Sequence, residues 1–261
     1  MKQVFFTVGA IAANTEKYLT EWLTFHYLTG VKRFVLVLEG DCSAIEKQIK
    51  KLPFRRQIWT YRFQKVWDRV KIYEWMLKNF GRKTHWMGFL ETSEFLFGTV
   101  EDDIRNVLDQ YENFGGLMAH WLNFGSNGHF FRPTGLSIEA FSKRAVDNFR
   151  IHHGLKTIFQ PSKFQRFLSA NLVETNCDSV REDGLPIEKE TTWATAKPPI
   201  WNAIRINRYQ PRSRQDWIES SNPGNTFEKK ELSDLFFRLD RNEIFDPLIL
   251  RYAARVRRIL H

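Results

Sequence analysis

Val31-Lys32-Arg33-Phe34-Val35-Leu36-Val37-Leu38 runs unbroken and apolar from Phe34 and closes on Glu39-Gly40-Asp41. An apolar run of strand length, ended by Gly and acidic residues, reads as a buried strand. Just upstream, Glu16 to Leu28 sets Leu19, Trp22, Leu23 and Tyr27 at helical spacing and stops at Gly30. Val4 to Ile11, before it, is another strand-length apolar run. Downstream, Ser43 to Lys51 reads as helix, Ile58 to Phe63 as strand, Val66 to Asn79 as helix and Trp86 to Leu90 as strand. Strand and helix therefore alternate through the first hundred residues. That alternation predicts an α/β fold, a mostly parallel sheet with helices on both faces.

Ligands of such sheets bind at the carboxyl ends of the strands. Those ends here carry Ala13-Asn14-Thr15-Glu16, Glu39-Gly40-Asp41 and Glu91-Thr92-Ser93-Glu94. All three are polar, so topology itself points to a site there. After residue 100 the alternation breaks. Val100 to Tyr111 reads as helix and Gly116 to Trp121 as strand, with a Gly-rich aromatic stretch at Phe124 to His129. Residues 130–210 mix short strands and turns, and Phe227 to His261 reads as largely helical and basic. The expected organisation is one domain over 1–220 and a helical extension over 221–261 packed on it. Asn222-Pro223-Gly224-Asn225 reads as a surface loop between them.

Composition narrows the class. The chain has 261 residues, 43% apolar and 15% aromatic, enough to bury a core and exclude wholesale disorder. Cys42 and Cys177 cannot make a disulfide framework or, alone, a zinc site, and fit a reducing, cytoplasmic setting. No run approaches the roughly 20 apolar residues that span a bilayer. The run near Met1 is too short for a signal peptide and reads as a first strand. Lys and Arg outnumber Asp and Glu by 39 to 30, a net +9. Nucleic acid, an anionic membrane surface and a phosphate-bearing substrate all suit that charge. The cations read as spread along the chain, with no zinc-finger spacing or RNA-recognition signature, so no nucleic-acid partner is expected. Asp246 to His261 alternates Arg251, Arg255, Arg257 and Arg258 with apolar residues. It reads as a helix docked on the domain, with peripheral contact at the inner membrane face as the alternative.

Several blocks, in order, resemble one family. Asn14-Thr15-Glu16-Lys17-Tyr18-Leu19-Thr20-Glu21-Trp22-Leu23, with His26 and Gly30-Val31, is similar to the opening of family 92-type glycosyltransferases, relatives of the family 2 enzymes with the GT-A fold. Trp86 to Phe97 resembles that family's W-x-x-x-x-D-x-D-E-F segment. Trp121 to His129, with Arg132-Pro133, Gly135-Leu136, Glu139, Phe141 and Arg144, resembles its W-x-x-F-G-S-x-G-H block. Ile204 to Tyr209 with Arg212-Ser213 resembles its I-x-x-N-H-Y…K-S block, and Asp240, Asn242, Glu243 and Asp246 its late acidic segment.

The resemblance implies a GT-A-like, Rossmann-type fold and transfer of a sugar from a UDP- or GDP-sugar to a hydroxyl of a glycan or lipid-linked acceptor. A departing nucleoside diphosphate needs its charge stabilised, and many GT-A enzymes use a D-x-D-bound Mn²⁺ or Mg²⁺ for this. This chain departs there: the motif reads Glu91-Thr92-Ser93, and Arg208 replaces the family's His. Asn171 stands near another replaced His, and Thr15 where the family has Glu. Arg cannot bind a metal but pairs bidentately with phosphate. The resemblance thus implies donor binding by Asn14, Glu39, Asp41, Glu91, Ser93, Glu94, Arg208 and Arg212. It implies acceptor binding by Trp121, Phe124 and Ser126, and a general base at Glu139 or His129. Metal, if any, falls to Glu91. Arg205 and Arg208 are read as facing the site together. A catalytically decayed binding protein is the alternative; a basic nucleic-acid binder is the rival from another class.

Overall fold

The computed structural model describes residues 3–13, 16–40, 42–63, 68–186, 193–220 and 229–261. The first half alternates as the sequence predicts. Strand β1 is Val4–Ala13, helix α1 Glu16–Leu28, β2 Arg33–Glu39, α2 Ser43–Lys51 and β3 Ile58–Tyr61. Then come α3 (Arg69–Phe80), β4 (Thr84–Phe89), β5 (Glu94–Gly98), α4 (Ile104–Asp109) and β6 (Gly116–Asn123). The second half holds α5 (Ser137–Ala140), β7 (Lys143–Arg144), β8 (Leu155–Phe159), β9 (Phe164–Phe167), β10 (Val173–Thr175), β11 (Ser179–Arg181) and β12 (Ile204–Arg208). It ends with α6 (Arg214–Ser220), α7 (Lys229–Leu239), β13 (Ile244–Phe245) and α8 (Ala253–Leu260).

The main sheet has the order β3-β2-β1-β4-β8-β6-β12-β5, with β11 beside the start of β6. Only β8 and β5 run against the rest. The fold is therefore α/β with a large, mostly parallel sheet. Each strand of its first half serves two cores because side chains alternate across the sheet. In β2, Phe34, Leu36 and Leu38 join the core under α1, α2 and α8. Val35 and Val37 join a second core with Ile72, Tyr73 and Met76 of α3. Gly9 lets α3 approach closely: a Cβ there would lie 2.7 Å from Met76 Sδ and from Phe89.

Two boundaries move for local reasons. The helix expected from Val100 begins only at Ile104, where Asp103 accepts the Arg105 N–H and caps it. The helix expected from Val66 begins at Arg69, capped by Asp68 on the Val70 N–H; residues 64–67 lie outside the described residues, as do Asn14, Thr15, Asp41 and the expected loop at 222–225.

The residues of the opening block pin α1 to the rest. Tyr18 donates to Asp216 at 2.5 Å, and Glu21 accepts the N–H groups of Ser137 and Ile138. Trp22 Nε1 donates to the Glu94 carbonyl at 2.7 Å. His26 Nδ1 lies 2.9 Å from the Trp22 carbonyl, and its Nε2 accepts the Leu96 N–H at 3.1 Å. Those contacts require the neutral ring with its proton on Nδ1.

The terminal segment is built into the domain. Ile249, Tyr252 and Val256 are part of the main core. Arg255 pairs with Asp102 at 2.8 Å, Arg251 with Asp102 and the Thr99 carbonyl, and Arg257 with Glu139. The arginines expected to face a membrane are thus largely spent on the domain itself. Asp246 accepts from Arg205 through both carboxylate oxygens and also from Arg144. Arg205 therefore does not share the face of Arg208: residues three apart on a strand point to opposite sides.

Burial pulls the pKa of His26 down to about 3, and those of His120 and His152 down to about 4. A depressed histidine pKa contributes stability that is whole above the unfolded value near 6.5 and is lost as pH falls toward the folded value. Unfolding between pH 4 and 6.5 takes up as many as three extra protons. The urea midpoint should therefore fall steeply from pH 7.5 to 5, with a slope of up to about 4 kcal/mol per pH unit. A midpoint flat across that range would show that these rings ionise freely in the folded chain.

Candidate active site

The strand β4 ends at Phe89, and the chain turns through Glu91–Glu94 before entering β5. Three neighbours hold this turn. Leu90 N–H donates to the Gly9 carbonyl, Tyr209 N–H to the Ser93 carbonyl at 2.8 Å, and Arg212 Nη2 to the Thr92 carbonyl at 2.9 Å. Arg212 does so from a left-handed backbone, φ 49°, with its guanidinium 3.9 Å from the Tyr18 ring centre. A non-glycine residue in that region is strained and is kept there by its surroundings.

A cleft of about 200 Å³ opens beside the turn, at the carboxyl ends of β1, β2 and β4, lined by Ile11, Glu39, Arg69, Tyr73, Leu90 and residues 91–93. This is where an open parallel sheet presents its ligand site. Glu91 reaches Arg69 at 2.5 Å. Burial alone would raise the Glu91 pKa, but Lys156, Arg208 and Arg69 outweigh it and pull it down to about 2.

Glu94 lies behind the cleft with no exposed side chain. Its Oε2 accepts the Glu91 N–H at 2.8 Å and lies 3.2 Å from Lys156 Nζ, itself only 3% exposed. Arg208 approaches from β12, directly across from Glu94 in the strand register. Its Nε is 4.0 Å from Glu94 Oε1 and lacks a hydrogen-bond partner. The guanidinium stacks 4.2 Å over Trp121. Burial drives the Glu94 carboxyl pKa up. For Lys156, burial disfavours the charge, but Glu94, Tyr73 and Glu91 together outweigh it and the pKa rises. Two carboxylates and three cations from four separate strands and helices thus converge at one end of the sheet.

The fold gathers Glu39, Glu91, Ser93, Glu94, Arg208, Arg212 and Trp121 around this end. It gives other candidates different work. Phe124 is fully buried, with its ring 5.0 Å from Tyr209, so it is core and not a pocket wall. Ser126 is buried and hydrogen-bonded to Asp240 through both its N–H and its hydroxyl. Glu139 is ion-paired to Arg257 beside the terminal helix and does not line the cleft. His129 closes the turn from Ser126 and packs against Phe141.

Arg69 and Lys156 went unnoticed in the sequence, though each leaves a trace. Lys156 is a lone cation inside the buried strand Leu155-Lys156-Thr157-Ile158-Phe159. Arg69 puts a cation at the first residue of a helix, where the helix dipole disfavours it.

The donor set does not suit a divalent cation. A hard dication seeks several carboxylate oxygens. Here Glu91 is committed to Arg69, Glu94 to Lys156, and the motif's last position is Ser93. Among the described residues, no three His, Cys, Asp or Glu side chains are grouped to hold a metal.

No protein-family model matches the chain, and no curated protein matches it. Solved structures resemble it in outline. One is HddC from Yersinia pseudotuberculosis, at 9% identity over 86% of this chain and 83% of that one, with a TM-score of 0.36. Another is 4-diphosphocytidyl-2C-methyl-D-erythritol synthase from Anaerococcus prevotii, at 10% identity, 97% and 96% coverage and a TM-score of 0.36. A third is a proposed glucose-1-phosphate thymidylyltransferase from Bacillus anthracis, at 11% identity, 97% and 95% coverage and a TM-score of 0.34. At these scores the likenesses say nothing about the site, whose account rests on its own geometry.

Removing one partner of a buried ion pair strands the other, at a cost of about 3–5 kcal/mol. Lys156→Met should therefore destabilise strongly, and adding Glu94→Gln should restore much of the loss. Urea unfolding of the two single variants and the double variant measures the coupling. Additive losses would mean that the pair does not interact.

Proposed function

We propose that the protein is a glycosyltransferase that takes its sugar from a nucleoside-diphosphate donor and meets the diphosphate with arginine in place of a metal ion. The observation that carries this reading is the Arg208 guanidinium, whose buried Nε has no hydrogen-bond partner and lies 4.0 Å from Glu94, behind a cleft that already holds Arg69. The ordered motif blocks supply the family, and the charge balance supplies the departure from it.

In this reading Glu39, at the end of β2, receives the base or ribose, with Asp41 two residues on in sequence and Asn14 next after β1 in sequence. Arg69 and Arg208 receive the diphosphate. Charge-assisted contacts to a departing phosphate are the stronger kind of hydrogen bond, and they stabilise the charge that develops as the glycosidic bond breaks. Arg212 holds the Thr92 carbonyl and so fixes the turn that presents Ser93. Glu94 and Lys156 act from behind, by placing Arg208 and the Glu91 amide. Trp121, under Arg208 and 6.3 Å from Trp193, forms the wall nearest the acceptor.

The acceptor hydroxyl must lose a proton. Glu91, held near pKa 2, is a weak base at neutral pH, and Glu94 is sealed from solvent. The resemblance implies a base at His129 or Glu139, neither of which lines the cleft, and glycan or lipid-linked hydroxyls are the acceptor class we propose. One observation favours a silent nucleotide-binding protein instead: both carboxylates of the degenerate motif are already satisfied by cations of the chain.

Donor cleavage should survive excess EDTA, and UDP or GDP should raise the melting temperature without added metal. Arg208→Ala should lose on the order of a hundredfold in turnover, read at a temperature where circular dichroism shows the variant folded, since Glu94 loses a partner. Strict dependence on Mn²⁺ would overturn the arginine assignment. Nucleotide binding with no turnover on any donor would establish the silent reading.

A further inference from the structure

The net charge of +9 is not spread along the chain. Residues 47–83 hold twelve Lys and Arg against only Asp68 and Glu74, a net +10, so the remainder nearly balances. Topology collects most of this excess at one place. Helices linking parallel strands run back against them, so their last turns, and the turns into the next strand, lie at the amino ends of the sheet. Lys50 and Lys51 end α2, and Arg55 and Arg56 lead into β3. Lys78 lies in the last turn of α3, and Arg82 and Lys83 lead into β4. All seven are exposed. None makes an ion pair among the described residues.

Two further features mark this end. Trp59, on the edge strand β3, is 45% exposed, and the Arg33 guanidinium lies 5.8 Å from its ring centre. Arg33 also donates to the Lys83 carbonyl, which joins the entries of β2 and β4. A groove of about 620 Å³ runs between Leu77, Lys78 and Arg82 on one side and Pro161, Ser162 and Phe164 on the other.

We propose that this end of the sheet docks the protein on an anionic lipid bilayer. A fluid anionic surface can meet cations from several chain segments at once, and each adds to the attraction. An exposed tryptophan beside them suits the headgroup level. A single-stranded nucleic acid would seek free aromatic faces for stacking, whereas the Trp59 ring has Arg33 over it and meets Phe80 edge-on, centres 5.5 Å apart. The docked orientation turns the cleft at the opposite strand ends toward the aqueous side. The inference stands apart from the proposed transfer reaction, since neither nucleotide nor sugar enters it.

The test is sedimentation of the full chain with vesicles of phosphatidylcholine, alone or mixed with phosphatidylglycerol. Binding is expected only to the mixed vesicles, and high salt should release it. Combined Lys50→Gln, Lys51→Gln, Arg55→Gln, Arg56→Gln, Lys78→Gln and Arg82→Gln should weaken it by at least about tenfold. Arg258→Gln, on the terminal helix, should leave it unchanged. Quenching of protein fluorescence by brominated lipid should drop in Trp59→Phe, which reads the contact without altering the charge. Equal binding to uncharged vesicles would overturn the proposal, as would full retention in the six-residue variant. Tighter binding to a single-stranded oligonucleotide than to the mixed vesicles, lost in the same variant, would replace the bilayer with nucleic acid.

Discussion

The Glu94 carboxylate is fully buried, and a buried carboxylate must be paired or protonated. Its partners come from β8, from β12 and from its own turn, so meeting its charge fixes three parts of the molecule together. Lys156 brings in the reversed strand β8, which joins the two halves of the sheet. Arg208 brings in β12, and with it the Trp121 wall. The Glu91 amide closes the turn that shapes the cleft. Trp22 and His26 then tie α1 to the backbone of Glu94 and Leu96. The opening block of the sequence is therefore scaffolding for this one turn. Its aromatic and ionisable residues are conspicuous in the sequence, yet Trp22 and His26 act through the backbone they hold, and Tyr18 through the Arg212 guanidinium over its ring.

The alternating half of the fold was legible because its strands and helices are set by local periodicity. The edges of α1 and α2 fall where Gly30, Ser43 and Leu52 place them. The second half was less legible because its strands are short and pair over long sequence distances. Nothing near Ile244 announces that it will pair with Arg144, nor near Ser179 that it will lie beside Gly116. The site divides in the same way. Glu39, Glu91 and Ser93 could be read because strand ends in a parallel sheet are predictable. Lys156 could not, since its role depends on β8 lying next to β4. Phe124 and Ser126 were assigned to the acceptor pocket by the motif block they belong to, whose partners lie far along the chain. Asp240 and Asn242, more than a hundred residues on, fill the space such a pocket would need.

Charge organises the two ends of the sheet differently. At the carboxyl ends, cations and carboxylates are interleaved and nearly balanced. At the amino ends, cations stand almost alone. The net charge of the chain therefore belongs chiefly to the second end, where those seven cations make no ion pair among the described residues. Arg208 adds little to the total, but its place beside a buried carboxylate makes it count more than any surface lysine.

The central claim is that guanidinium groups take the place of a metal at the diphosphate. A crystal structure of the protein with UDP or GDP in excess Mn²⁺, read by anomalous scattering at the manganese edge, tests it most directly. The account predicts phosphate oxygens within hydrogen-bond distance of Arg208 and Arg69, with no manganese peak between Glu91 and the diphosphate. A manganese ion bridging Glu91 and the phosphates, with Arg208 still stacked on Trp121 and out of contact, would contradict it.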